Sequence, residues 1–344
     1  MRRLGPVLAL ALGAVSLLAG CGGDKGLSGN YSVEASLREL PYVSEGTPLT
    51  VVTGDLDRAT ELGGVKRPAA GADTVEWGQA LSKEPVSIPA AEDLKFRYLP
   101  GGQMRALLGL DMRDVRSYAS IESPPHRITV LRVTDGTKLK KGLPSSGGVT
   151  TTEEGKVGEI TRGKATEPPV FLAIEAVEQQ DDRVALAQES RVLKDWSEDG
   201  GKTMADHQAL LEVAKALDDQ DVYGAVLLDG AGTPQNLTPQ IAAGVKVKMP
   251  KFDAVAVGQA VEKGHSVEYV AYRVSDPDAA KTGIGKVWAD GTSLATREQL
   301  SRLVSVDEVT TGDHVVVVKL KPEANPGVAM EMLYRSDLPF VVLP

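Results

Sequence analysis

The chain has 344 residues, with 38 lysines and arginines against 47 aspartates and glutamates, for a formal net charge of −9. That balance excludes a nucleic acid ligand and a polybasic membrane patch, since both need clustered positive charge. One cysteine excludes an internal disulfide, and 4% aromatic residues leave a core of Val, Leu, Ala and Ile with few faces for a stacked carbohydrate.

Arg2 and Arg3 open the chain, an almost wholly apolar run covers 4–18, and the string Leu18-Ala19-Gly20-Cys21 follows. A charged start, a short apolar run and small residues form a secretory signal peptide. The run is shorter than the ~20 residues of a membrane span. Leu18-Ala19-Gly20-Cys21 resembles the lipobox of bacterial prolipoproteins. The resemblance implies a signal peptide at 1–20 and a diacylglyceryl group on the thiol of Cys21. It places the mature protein on the extracytoplasmic face of the cell membrane, held by lipid. Cleavage removes two arginines and no acid, leaving a net charge of −11. Residues 22–30, GGDKGLSGN, read as a flexible tether, and the lipidated N-terminus with its tether is taken as 21–47. The wealth of Ala, Val, Gly and Asp suits a lipoprotein of actinobacterial type.

Farther along, 33–40 reads as a short helix halted by Pro41, and 49–53 as a strand. Asp55 is placed to cap a helix over 56–62, which Gly63-Gly64 ends. Helices are expected at 103–108 and, capped by Asp111, over a segment with Met112, Val115, Tyr118 and Ala119 on one face. Pro124-Pro125 ends it. Next come a β-branched strand at 128–133, a helix at 136–143, a loop at 144–155 and a short strand at 157–161. A strand at 170–177 turns at 179–182 and returns at 184–187. Helices are expected at 190–196 and 205–217, then a buried strand at 222–228. Three prolines and three glycines fall in 229–250, and 231–250 is taken as a linker. Beyond it lie strands near 252–257, 267–274, 303–310 and 314–320, helices at 277–288 and 327–334, and a closing strand at 340–343. The expected fold is α/β to α+β with mostly antiparallel sheets. Its two domains would be 48–230 and 251–344.

The two halves share a pattern. Residues 131–143 and 272–284 align at an offset of 141, matching Arg132 to Arg273, Val133 to Val274, Asp135 to Asp276, Lys140 to Lys281 and Gly142 to Gly283. A strand that ends in a Thr/Ser-Asp cap before a helix explains most of this. The arginines are not capping residues, so they would pair across an interface or sit exposed at strand ends. The pattern predicts two related strand–helix–strand–strand units.

Signatures of chemistry are scarce. His126, His207, His265 and His314 stand apart in sequence, with none of the short spacings of a zinc site, and read as surface or loop residues. Neither Gly-x-Ser-x-Gly nor Ser-x-x-Lys occurs. Gly201-Lys202-Thr203 lacks the rest of a phosphate loop, and Gly283-Ile284-Gly285 lacks its third glycine and falls in an expected helix. The pairs Asp55/Asp57, Asp181/Asp182 and Asp276/Asp278, with Asp218/Asp219/Asp221, fit turns and helix ends better than a calcium loop. Trp77, Trp196 and Trp288 read as packing residues. No catalytic residue, cofactor or metal ligand is assigned. The function expected is a non-enzymatic interaction or sensing role at the membrane. The alternatives are a solute- or lipid-binding lipoprotein of a transport system and an envelope hydrolase with a dispersed site.

Overall fold

The computed structural model describes residues 31–69, 72, 74–94, 108–139, 158–159, 176–187, 189–198, 200–230 and 247–342. Leu18, Ala19, Gly20 and Cys21, most of the helix expected at 103–108, the loop at 144–155 and most of the expected linker lie outside these residues.

Among the described residues, eleven strands form a single antiparallel sheet. They are β1 (Leu49–Asp55), β2 (Val115–Ile121), β3 (Ile128–Val133), β4 (Gly158–Glu159), β5 (Ala176–Gln180), β6 (Arg183–Ala187), β7 (Gly224–Asp229), β8 (Ala254–Glu262), β9 (His265–Arg273), β10 (Val304–Thr311) and β11 (Val315–Pro322). Their spatial order is β10-β11-β9-β8-β7-β1-β2-β3-β6-β5-β4. Among the described residues, seven helices cover its faces: α1 (Val33–Arg38), α2 (Leu56–Leu62), α3 (Val75–Ala80), α4 (Ser190–Ser197), α5 (Gln208–Asp218), α6 (Pro277–Asp290) and α7 (Val328–Tyr334). This is the mixed α and antiparallel β class that the sequence predicts.

The sheet has apolar side chains on both faces. On one face, Val51, Ala119, Ala225, Leu227, Ala256 and Ala271 meet α1, α4 and α5. Many of these are alanines, which lets α5 lie close with Leu210, Val213, Ala214 and Leu217 buried beneath it. On the other face, Val52, Val226, Val257, Val270, Tyr272 and Val318 meet α2, α3, α6 and α7. There the Nε1–H of Trp288 donates to the hydroxyl of Tyr272 at 3.1 Å, and its ring meets Phe340 edge-on at 5.8 Å.

The sheet does not break at the segment read as a linker. β7, before it, and β8, after it, are neighbours in register from Gly224↔Gln259 to Asp229↔Ala254. A division between 48–230 and 251–344 would cut through this ladder.

The two halves of the sheet repeat one strand order. β1-β2-β3-β6-β5 runs outward one way from the centre, and β7-β8-β9-β11-β10 runs outward the other way. A helix leads each half, α1 before β1 and α5 before β7. Among the described residues, the helix of the expected repeat unit appears after β9, where the Asp276 carboxylate accepts from the Ala279 amide and Pro277 takes the first turn. After β3, Gly136 takes φ +85° in a tight turn, and 136–139 are not helical. Glycine tolerates that conformation where proline pre-sets the helical φ.

Two further expectations are corrected. Asp111 caps only a short 3-10 turn (Met112–Asp114), and the segment read as its helix is strand β2. Residues 340–342 form no strand. The turn after β5 is also tighter than expected, confined to Asp181-Asp182. At its far edge the sheet ends in β10, where Ser305, Asp307, Glu308, Thr310 and Thr311 are exposed and a bulge falls between Val306 and Glu308.

Close approach makes Gly54 a test of this packing. A Cβ there would lie 2.5 Å from the Tyr118 hydroxyl oxygen, and that buried hydroxyl donates to the carbonyl of Pro89. G54A is expected to cost about 1–3 kcal/mol by overpacking, read as a lower urea midpoint at unchanged slope. A midpoint equal to the wild type would show that Tyr118 moves freely.

Candidate functional site

At one end of the sheet the last residues of β7 and β9 lie beside the first residues of β8 and β11. The chain delivers His207 there through a compact turn. Thr203 and Asp206 form a reciprocal capping box around the 3-10 turn Met204–Asp206, and His207 follows as the residue that opens α5. β7 ends at Asp229, and Gly230 turns the chain away at φ +68°.

These two side chains face each other. His207 is fully buried, and its Nε2 lies 3.2 Å from Oδ2 of Asp229. The approach misses hydrogen-bond geometry: both ring nitrogens and Asp229 Oδ2 are buried without a hydrogen-bond partner. The Tyr42 ring stands 6.4 Å from the imidazole. Both groups line a cleft of about 390 Å³, with Glu45, Phe252, Asp253 and Arg273 on its walls.

Arg273 is held from two sides. Its Nε donates to Glu212 on α5 at 2.7 Å, and its Nη1 donates to Asp253. Burial alone would raise the Glu212 carboxyl, but hydrogen bonds from Gln208, Arg273 and His314 outweigh it and hold the group below its usual range. Arg132 repeats the arrangement in the other half. It donates to Glu39, at the end of α1, at 3.0 Å and to Asp182 in the β5–β6 turn. So the matched arginines neither pair across an interface nor stand exposed. Each ties the leading helix of its half to its sheet.

Of the four histidines read as surface or loop residues, His207 lies in the turn before α5 but is buried there. His126 is half-buried in the β2–β3 connection, His265 is exposed at the start of β9, and His314 is exposed with its Nδ1 3.3 Å from Glu212. Among the described residues no group of three or more His, Cys, Asp or Glu is placed to hold a metal ion.

The other motifs are structural. The Asp55 carboxylate accepts from the Arg58 amide and caps α2. The Asp218 carboxylate accepts from the amides of Val33 and Glu34 at the start of α1, and burial pushes it up to about 6. Lys202, from the Gly-Lys-Thr string, lies over the Tyr42 ring, and Thr203 caps its turn. Gly283 and Gly285 lie inside α6. The Nε1–H of Trp77 donates to Thr60, and that of Trp196 to the carbonyl of Glu39.

A second cavity of about 510 Å³ lies by the β8–β9 turn and includes Glu84, Glu262, His265, Asp307, Lys319 and Lys321. Its charges satisfy each other: Lys319 donates to Glu262 at 2.7 Å, and Lys321 to Asp307 at 2.6 Å. It reads as a brace between strands. The His207–Asp229 cleft, with its unsatisfied buried atoms, is the candidate site.

Sequence reasoning missed the dyad. The two residues are 22 positions apart, one opening a helix and one closing a strand, and no short spacing joins them. No protein-family model, no curated protein and no solved structure matches this chain, so its chemistry is read from its own side chains.

Proposed function

We propose that this protein is a lipid-anchored extracytoplasmic protein whose folded body binds or senses rather than turning over a substrate. The observation that carries the anchor is Leu18-Ala19-Gly20-Cys21, closing an apolar run and holding the only cysteine of the chain. Two acyl chains suffice for stable attachment, at about 0.8 kcal/mol per buried methylene.

The geometry of the cleft supports a binding role. A histidine beside a carboxylate is two-thirds of a nucleophilic triad, yet among the described residues those lining the cleft include no serine, threonine, cysteine or lysine to act as nucleophile. What remains is a buried polar pair in a concave site, which suits recognition. The solute- or lipid-binding reading calls for an interlobe cleft or a deep apolar pocket lined by convergent polar groups, and β7 pairs with β8 across the expected linker.

The anchor is tested by growing the native host with labelled palmitate and taking the mass of the N-terminal peptide. Label and a diacylglyceryl mass are expected on Cys21, and C21A is expected to lose all label. An unmodified Cys21 in the mature wild-type protein would end this reading.

A further inference from the structure

We propose that this chain is two related copies of one fold unit joined near residue 200, and that the β1–β7 ladder is a self-complementary interface that also fits a second copy of the same unit. The inference concerns the folded body and does not depend on the lipid anchor.

It starts from one sequence match carried through the sheet. Arg132 and Arg273 correspond in sequence, and they sit on β3 and β9, each third from the centre. Ladder pairing extends the correspondence without further alignment. Arg132 pairs with Ser117 on β2, which pairs with Asp55 on β1. Arg273 pairs with Ala254 on β8, which pairs with Asp229 on β7. The count therefore sets Asp55 against Asp229, and each is the aspartate that closes its strand. Outward, Arg132 pairs with Arg183 and Arg273 with Val315, each the first residue of its strand. Corresponding residues also share a face of the sheet, as Leu131 and Tyr272 do on one side, and Ala119 and Ala256 on the other.

The axis that relates the two units falls inside the seam. Three residues back from the matched aspartates are Val52 and Val226, and these two are partners in the β1–β7 ladder. A residue that meets its own counterpart marks the centre of an isologous, twofold interface. The helices obey the same axis. α1 and α5 share a face of the sheet and run antiparallel. Asp218 at the end of α5 accepts from the amides at the start of α1, and Pro41 after α1 bridges to Thr203 before α5. Each arginine then ties the leading helix of its own unit to its strand.

Such a seam accepts a copy of its own strand. With Val52 opposite Val52, a β1–β1 ladder sets Val51 opposite Thr53 and Leu49 opposite Asp55. Apolar and β-branched residues meet at its middle, and no like charges face each other.

The test uses the full chain carrying C21S and V52C, which leaves one cysteine, with a site-specific protease sequence inserted between the exposed Gly200 and Gly201. The folded protein is cut, unfolded in urea and refolded in one vessel under oxidising glutathione, with native mass spectrometry at each stage. Before unfolding, the two pieces are expected to stay together one to one. After refolding, a disulfide-linked pair of N-terminal pieces is expected beside the restored one-to-one complex. T50C in place of V52C is the control. In the same register its two thiols lie four residues apart along the strand, ~13 Å. That exceeds the ~7 Å between Cα atoms that a disulfide spans, so the control should trap about tenfold less. If V52C does not fold, V226C reads the same axis from the C-terminal piece, with L228C as its control. The proposal is overturned if the pieces part on cutting, or if the valine position traps no more than its control.

Discussion

Between pH 4.5 and 8 this protein is expected to lose stability as pH rises, and E268Q is expected to remove most of that slope. Glu268 is fully buried on β9. Its carboxyl accepts from the amides of Ala329 and Met330 at the start of α7 at 2.9 and 3.2 Å, and from the Gln259 side chain at 2.8 Å. Burial outweighs these three bonds and pushes its pKa up from 4.5 to about 8. Tyr223 is the titratable neighbour whose own hydroxyl feels the Glu268 charge, and burial keeps it neutral throughout this window. Below pH 4.5 both folded and unfolded chains hold the Glu268 proton, and the full contribution is present. Above it the unfolded chain releases the proton while the folded chain keeps it, so folding loses ground until the folded group ionises near pH 8. Each tenfold difference in proton affinity between the two states is worth about 1.4 kcal/mol, so the loss across the window is on the order of 5 kcal/mol. Asp218, raised to about 6, acts in the same direction at the lower end. Urea unfolding at pH 5, 6, 7 and 8 separates the two groups. The wild type should lose stability at each step, whereas E268Q should keep only the shallow part below pH 6. Its amide cannot serve every donor, so it should start lower by about 1–2 kcal/mol. Parallel curves for the two proteins would show that Glu268 ionises in the fold without cost.

The second large effect is expected at Arg132. R132A should cost about 3 kcal/mol, because the buried Glu39 carboxylate loses its partner at 3.0 Å and keeps Arg183 Nη1 at 3.6 Å. The side chains of Arg132 and Glu39 are 10% and 4% exposed. The matching substitution, R273A, should cost about 1 kcal/mol. Arg273 is 25% exposed and its second partner, Asp253, is 59% exposed, so water screens that pair. A double variant, R132A with E39Q, should recover part of the loss by removing the buried charge. Chemical unfolding of the three proteins at pH 7 measures this. Equal costs at Arg132 and Arg273 would mean that burial does not set the strength of the two ties.

Much of the sheet was legible because its strands are rich in β-branched residues and bounded by turn residues. The cap at Asp55, the Pro277 start of α6 and the strands β9 and β11 are local signals, and the chain obeys them. β2 shows where local reading stops. Val115, Tyr118 and Ala119 fit a helical stripe, but β2 lies between β1 and β3 with six of its seven residues buried. A strand buried on both faces loses the alternation that marks it. The arginine match was visible as a pattern but not as a contact, since Glu39 and Glu212 lie on helices far away in sequence. The same holds for the cleft. His207 meets Asp229 only because α5 packs beside the strands it precedes, and nothing in either residue's neighbours announces it.

The bulged, charged strand β10 has a consequence for how copies of this protein coexist. An open sheet ends in unpaired backbone groups that invite another strand to add. Two β10 strands meeting edge to edge would bring the exposed Glu308 of one copy toward that of the other, and like charges facing across a ladder repel. The bulge twists the row of free amides out of line as well. Crowded copies can therefore collide along this edge without polymerising into a longer sheet.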